Sequence, residues 1–263
     1  MSTYLIGRRH FLALALAALG VPSRTAAESR ITKTSYAADV GILYGMLTFH
    51  LNGTIEEVVD RAAGQYRVTA NGRGTGIASR YQSTGVLRDG RWAPVQSESW
   101  FDIRGRQSRT EIAFDWAGQR VAYRARGETF FLRRLRIVDD TLPLPVGAHV
   151  DDVMSATLNY ADGRWRPQSD GTLRTQVIRR RRADDEGPDD IADSYRAEIV
   201  PFDLATLVDP SGKRAAAFDL SRFSSWAKPQ NPARIVFTDD RRPESITGSL
   251  ILGTSVLIRF SSS

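Results

Sequence analysis

Between Tyr36 and Phe260 apolar and polar residues alternate with period two, and clusters of Gly, Asn, Asp and Pro separate the runs. Successive side chains of a strand point to opposite faces, so such alternation builds a sheet with one apolar face. Short runs between turn residues build antiparallel hairpins. The pattern predicts strands near Tyr36–Asn52, Gly64–Gly74, Tyr81–Leu87, Pro94–Ile103, Ser108–Asp115, Arg120–Arg126 and Thr129–Arg134. A second series follows near Leu173–Arg182, Asp193–Phe202, Ala215–Leu220, Ala233–Thr238, Glu244–Leu252 and Thr254–Phe260. The chain therefore reads as one all-β domain, mainly antiparallel, with no internal boundary.

One hairpin is specified to the residue. Trp116-Ala117-Gly118-Gln119 is a turn, and pairing outward from it sets Asp115 opposite Arg120, Phe114 opposite Val121, Ile112 opposite Tyr123 and Glu111 opposite Arg124. One face is then apolar and the other carries opposite charges across the pair. Each such pair contributes roughly 0.2–1 kcal/mol. A one-residue slip would mix the two faces.

The alternation breaks at Leu142-Pro143-Leu144-Pro145, an extended, turn-like stretch. Beyond it Asp151 or Asp152 can cap a short helix, Val153 to Ala161, whose Met154, Leu158 and Ala161 repeat at helical spacing. In an all-β chain such a helix covers an open sheet face, so these three residues are the candidate lid of an apolar ligand. Arg179-Arg180-Arg181-Arg182 and the acids up to Asp190 form a charged insert, read as a solvated, self-neutralising hairpin tip.

The N-terminus carries an address. Arg8 and Arg9 precede the apolar run Phe11 to Val21, and Thr25-Ala26-Ala27 supplies small residues for cleavage before Glu28. That order defines an export signal, and the run is shorter than the ~20 apolar residues a membrane-spanning helix needs. Arg8, Arg9, Phe11 and Leu12 resemble the twin-arginine pattern, with Gly7 where Ser or Thr is usual and Ala13 where Lys is usual, so the twin-arginine route is favoured over Sec and the expected location is the periplasm. Soluble protein would remain after cleavage between Ala27 and Glu28.

Composition then removes function classes. The chain has 36 Lys and Arg against 30 Asp and Glu. Three of those arginines leave with the signal, and the small remaining excess gives no case for nucleic acid. There is no cysteine, so thiol catalysis and thiolate metal sites are impossible. His50 and His149, the histidines left after cleavage, lack metal-ligand spacing. The doublets Asp139-Asp140, Asp151-Asp152 and Asp239-Asp240 read as a cap and turns. No Gly-x-Ser-x-Gly elbow is present. The sequence thus designates no catalytic, cofactor or metal residue, and the remaining enzyme reading is a hydrolase that recruits His50 or His149 in three dimensions. His50 is expected to be partly buried and hydrogen-bonded on its strand. Gly72, Gly74 and Gly76 lack the dinucleotide spacing and instead predict a sharp bend or the close approach of another element. Trp92, Trp100, Trp116, Trp165 and Trp226 sit at strand ends and turns, suited to the core or to stacking on a sugar or lipid.

The order of elements resembles the bacterial exported family known as domain of unknown function 3108. The likeness rests on the aromatic-led strand and glycine hairpin from Tyr36 to Gly45 and on the helix segment Asp152-Val153-Met154-Ser155-Ala156-Thr157-Leu158. It rests also on Ile235 to Pro243, with its aspartate pair and basic turn, and on Gly253-Thr254-Ser255-Val256. The charged insert departs from the pattern. The resemblance implies a curved sheet or half-barrel with one short covering helix, similar in outline to periplasmic lipoprotein carriers, and it implies no activity. The resulting expectation is a non-enzymatic envelope protein that holds a lipid or acyl chain. The alternative is a scaffold that binds another envelope protein.

Overall fold

The computed structural model describes residues 29–262 except 43, 45, 130, 184, 185, 188, 225, 226, 228 and 229. The export segment, with Arg8, Arg9, Phe11, Leu12, Ala27 and Glu28, lies outside the described residues, as does Trp226. The first arm of the fold is a meander of Arg30–Ile42 (β1), Leu47–Asp60 (β2), Gln65–Gly74 (β3), Ile77–Arg88 (β4), Arg91–Ile103 (β5), Arg106–Asp115 (β6), Arg120–Glu128 (β7) and Leu135–Pro143 (β8). Val150–Asp151 (β9) and the helix Val153–Ala161 (α1) follow. The second arm comprises Arg166–Pro167 (β10), Leu173–Arg180 (β11), Ala197–Val208 (β12), Arg214–Phe218 (β13), Ala233–Phe237 (β14), Pro243–Ser249 (β15) and Ser255–Ser262 (β16). Among the described residues no helix is long and apolar enough to cross a membrane.

Among the described residues these sixteen strands belong to one connected, mostly antiparallel sheet. β1 lies in the middle of its path, paired with β2 on one side and β16 on the other. The path does not close into a barrel, but its two arms curl toward each other. β12 makes the corner, pairing with β11 along Ala197–Leu204 and with β13 along Ala205–Val208. Where the arms meet, Phe114, Val121, Tyr123 and Val138 of the first pack against Ile178 and Ala197 of the second. The amide of Ala197 donates to Asp140 Oδ2 at 3.0 Å.

The hairpin register is the one the side-chain pattern predicts, Asp115↔Arg120 through Glu111↔Arg124. Phe114, Val121 and Tyr123 are buried, and Arg124 is exposed. Other boundaries differ. Tyr36–Asn52 contains a turn and belongs to two strands, the second running on to Asp60. The described residues of 129–134 form no strand, and the strand lies after them, at Leu135–Pro143. The Asp139-Asp140 doublet sits inside that strand instead of at a turn. Asp139 faces out toward Arg124 at 3.3 Å, whereas Asp140 turns to the seam with Ala197.

The charged insert is a clasp across that seam, not a free tip. Glu186 accepts from Arg180 at 2.8 and 2.5 Å and lies 3.4 Å from Arg136 of β8. Arg136 also donates to the carbonyl of Gly187, and Asp189 accepts from the amides of Phe131 and Leu132. Arg136, Arg180 and Glu186 are thereby largely shielded from solvent. Burial of a charge demands compensation, and one carboxylate shared among arginines from both arms supplies it.

Glycines set the curvature. Gly53 and Gly72 are paired neighbours, and Tyr36 lies across both on the inner face, with Tyr36 Oη 3.4 Å from Ser79 Oγ. Tyr66 covers Gly85 in the same way. Close approach is thus the use of Gly72, and Gly76, at positive φ, makes the following turn. A Cβ on Gly53 would collide with the Asn71 carbonyl and the Tyr36 ring. Gly53→Val is therefore expected to cost about 1–3 kcal/mol through overpacking, read as a lower urea midpoint at unchanged slope.

Candidate functional site

The sheet leaves an apolar hollow between its second arm and α1, with a cavity of about 470 Å³. The helix forms one wall. Its start is fixed by a reciprocal cap: Asp152 Oδ1 accepts from the Ser155 amide at 2.7 Å, and Ser155 Oγ accepts from the Asp152 amide at 3.0 Å. Below the cap is a buried polar cluster. Asp151 is fully buried and accepts from Ser155 Oγ at 2.9 Å, Asn159 Nδ2 at 2.8 Å, Thr175 Oγ1 at 2.5 Å and Arg91 Nη2 at 3.2 Å. Ser83 Oγ donates to Asp152 Oδ2 at 2.5 Å and is bonded to Tyr66 Oη. Burial holds the Asp152 carboxyl above the usual carboxylate range, against the hydrogen bonds from Ser83 and Ser155. The Tyr81 phenol is also pushed well up, first by burial and then by the Asp152 charge.

Further bonds pin the rest of the helix. Asn159 pairs at two points with the backbone of Trp92, accepting from its amide and donating to its carbonyl, both at 2.8 Å. Asp162, the residue after the helix, accepts from Trp92 Nε1 at 3.0 Å and from both terminal nitrogens of Arg61. Trp165 Nε1 donates to the Ala156 carbonyl at 2.9 Å.

The two faces of the helix have different tasks. Leu158 packs with Val59, Tyr66, Val68 and Trp92, and Met154 joins that cluster. Val153, Ala156, Thr157 and Tyr160 face the hollow instead. The candidate lid Met154, Leu158 and Ala161 is therefore not the set that lines the cavity. The stripe covers the sheet, and the positions at i, i+3, i+4 and i+7 from Val153 form the wall. The opposite wall is aromatic. Phe202 meets Trp165, Phe218 and Phe223 edge-on at centroid distances of 5.7, 5.2 and 5.4 Å, and Tyr160 lies 4.4 Å from Phe237. Ile235 and Ile246 complete the apolar lining, and Tyr81, Ser99 and Thr110 give it a polar end. Of these residues the sequence pointed to Trp165 alone, as a core or stacking aromatic, and missed the others. Their signal was an aromatic at inward positions of successive strands, without meaning until the arms curl.

The histidines stand apart from the cavity lining and from each other. His50 is exposed, with a side chain 72% accessible, and its Nδ1 lies 2.7 Å from Asp39 Oδ1. It is hydrogen-bonded as expected but not partly buried, because its position alternates outward from the buried Phe49 and Leu51. His149 Nε2 lies 3.0 Å from Asp151 Oδ1 and 3.1 Å from the Trp92 carbonyl. Ser155 is close by but buried, and its hydroxyl is bonded to Asp151 instead of being aimed at the imidazole. Activation of a nucleophile needs the base to receive its proton directly. Among the described residues no group of three His, Asp or Glu is placed to hold a metal ion.

This geometry is that of an antiparallel β protein with an apolar hollow. No family model matches the chain, and no curated protein does. A solved structure, the β-barrel-like protein of domain of unknown function 1849 from Brucella abortus, is similar with a TM-score of 0.39 at 9% identity. The match covers 89% of this chain and 98% of that one.

Proposed function

We propose that the protein is an exported binding module of the cell envelope, without catalytic activity, that holds an apolar or acyl-chain ligand in the hollow beside α1. The observation that carries the reading is the lining itself. A cavity of about 470 Å³ is walled by Tyr160, Trp165, Phe202, Phe218, Ile235 and Phe237, with Tyr81, Ser99 and Thr110 at one end. Small-molecule sites typically occupy about 300–1,000 Å³, are mostly apolar and carry a few polar groups that orient the ligand. Apolar surface that remains accessible in a folded protein marks such a use. The export signal read from Arg8 to Ala27 and the resemblance to domain of unknown function 3108 support a periplasmic location for this binding.

The test is to fill the hollow. Thr157→Trp puts an indole into the cavity from a partly exposed helix position. The variant should retain its fold while binding of a fluorescent C16 fatty acid falls by about tenfold or more, since loss of a well-packed apolar contact of a few kcal/mol has that size. Native mass spectrometry of the freshly purified wild type should show an added lipid mass that the variant lacks. Equal binding of the fatty acid by both proteins would overturn the proposal.

A further inference from the structure

The outer face of the first arm carries a second, differently built groove. Tyr36, Gly53, Gly72, Ser79 and Phe101 follow one another in register on the inner face. Their neighbours along each strand must therefore point outward. The outward row Thr54, Asn71, Arg80 and Trp100 is likewise in register on adjacent strands. Asn52 and Arg73 stand beside it, directly opposite one another. Together these six border a groove of about 690 Å³ floored by Gly53, Gly72 and Ala78.

Two properties separate this groove from an ordinary solvated sheet face. Trp100 remains partly exposed at the end of an outward row whose other three members, Thr54, Asn71 and Arg80, are polar. An indole costs free energy to leave in water, and its flat face suits the C–H face of a sugar ring. Around it Asn52, Asn71, Arg73 and Arg80 have no side-chain hydrogen bond or ion pair among the described residues. Glu98 and Arg109, which also line the groove, are committed to each other at 2.9 Å, and Arg109 also to Glu111 at 2.8 Å. Two guanidinium groups and two amides are thus left free around one aromatic. An amide offers both donor and acceptor to vicinal hydroxyls. A guanidinium matches a carboxylate with two parallel hydrogen bonds.

We propose that this groove binds an acidic oligosaccharide, with Trp100 as the stacking platform, Asn52 and Asn71 as hydroxyl partners, and Arg73 and Arg80 as carboxylate partners. The site is independent of the apolar hollow, which opens on the opposite face of the sheet.

The experiment is isothermal titration of the full-length exported protein with tetragalacturonate, cellotetraose and tripolyphosphate at physiological salt. Tetragalacturonate should bind, cellotetraose more weakly, and Trp100→Ala should weaken tetragalacturonate by about tenfold or more, the effect expected of a central aromatic anchor. The same substitution should leave any tripolyphosphate binding unchanged. Arg73→Gln with Arg80→Gln should erase the preference for the acidic sugar over the neutral one, and it keeps the test available if Trp100→Ala does not fold. The proposal is overturned if neither sugar binds, if Trp100→Ala changes nothing, or if tripolyphosphate binds as tightly as tetragalacturonate and displaces it, which would mark plain charge attraction.

Discussion

Asp151→Ala should lower the stability of the folded protein by about 3–5 kcal/mol, the usual cost of removing one partner from a buried charge pair. Asp151 is the hub on which strand β11, strand β5 and the helix converge, through Thr175, Arg91, Ser155 and Asn159. Its removal leaves the Arg91 guanidinium without a counter-charge while its Nε is already buried and unpartnered. The side chain of Arg91 is only 14% accessible, so water cannot take over the carboxylate's place fully. Asp151→Asn should cost less, because the amide oxygen still accepts from some of these donors. Urea titration followed by circular dichroism measures both. A loss under about 1 kcal/mol for the alanine variant would mean that the cluster is solvated and reorganises freely.

Met154→Asp together with Leu158→Asp should have a still larger effect and unfold the protein at ordinary temperature. Leu158 is 3% accessible and sits among Val59, Tyr66, Val68 and Trp92. A carboxylate placed there has no partner, and each costs several kcal/mol unless it takes up a proton. Two such costs rival the whole stability of a domain, about 5–15 kcal/mol. The paired control, Val153→Asp with Thr157→Asp, puts the same charges on the cavity face of the same helix. Val153 is 64% accessible, so this variant should stay folded and lose fatty-acid binding only. The outcome distinguishes a fixed wall from a moving lid. If the Met154 and Leu158 variant kept its β signal and gained binding of a hydrophobic dye, the helix would swing free of the sheet as a lid, and the bonds from Asn159 and Asp162 would not be holding it.

The division of labour between sequence and tertiary structure follows the range of the interactions involved. Alternation over Ser108–Arg126 was enough to assign the register of that hairpin, because a slip by one residue would have put Glu111 and Arg124 where Ile112 and Tyr123 belong. The span of α1 was equally legible and its cap was narrowed to Asp151 or Asp152, since both depend on contacts within a single turn. The fold makes Asp152 the cap and Asp151 the buried hub. The antiparallel all-β class was written in the same short-range pattern. The strand at Leu135–Pro143 was not, because its aspartate doublet and closing Pro143 resemble a turn, and only the partner at Ala197, far along the chain, gives Asp140 a reason to face inward. Helical spacing identified Met154 and Leu158 as an apolar stripe but could not say what lay opposite it. That stripe meets the strands that came before the helix, whereas the cavity is lined largely by aromatics from the strands that come after it. Local sequence determined which side chains share a face. The curl of the two arms, set by tyrosines lying over glycines and closed by the arginine–glutamate clasp, decided which faces meet and left a hollow between them.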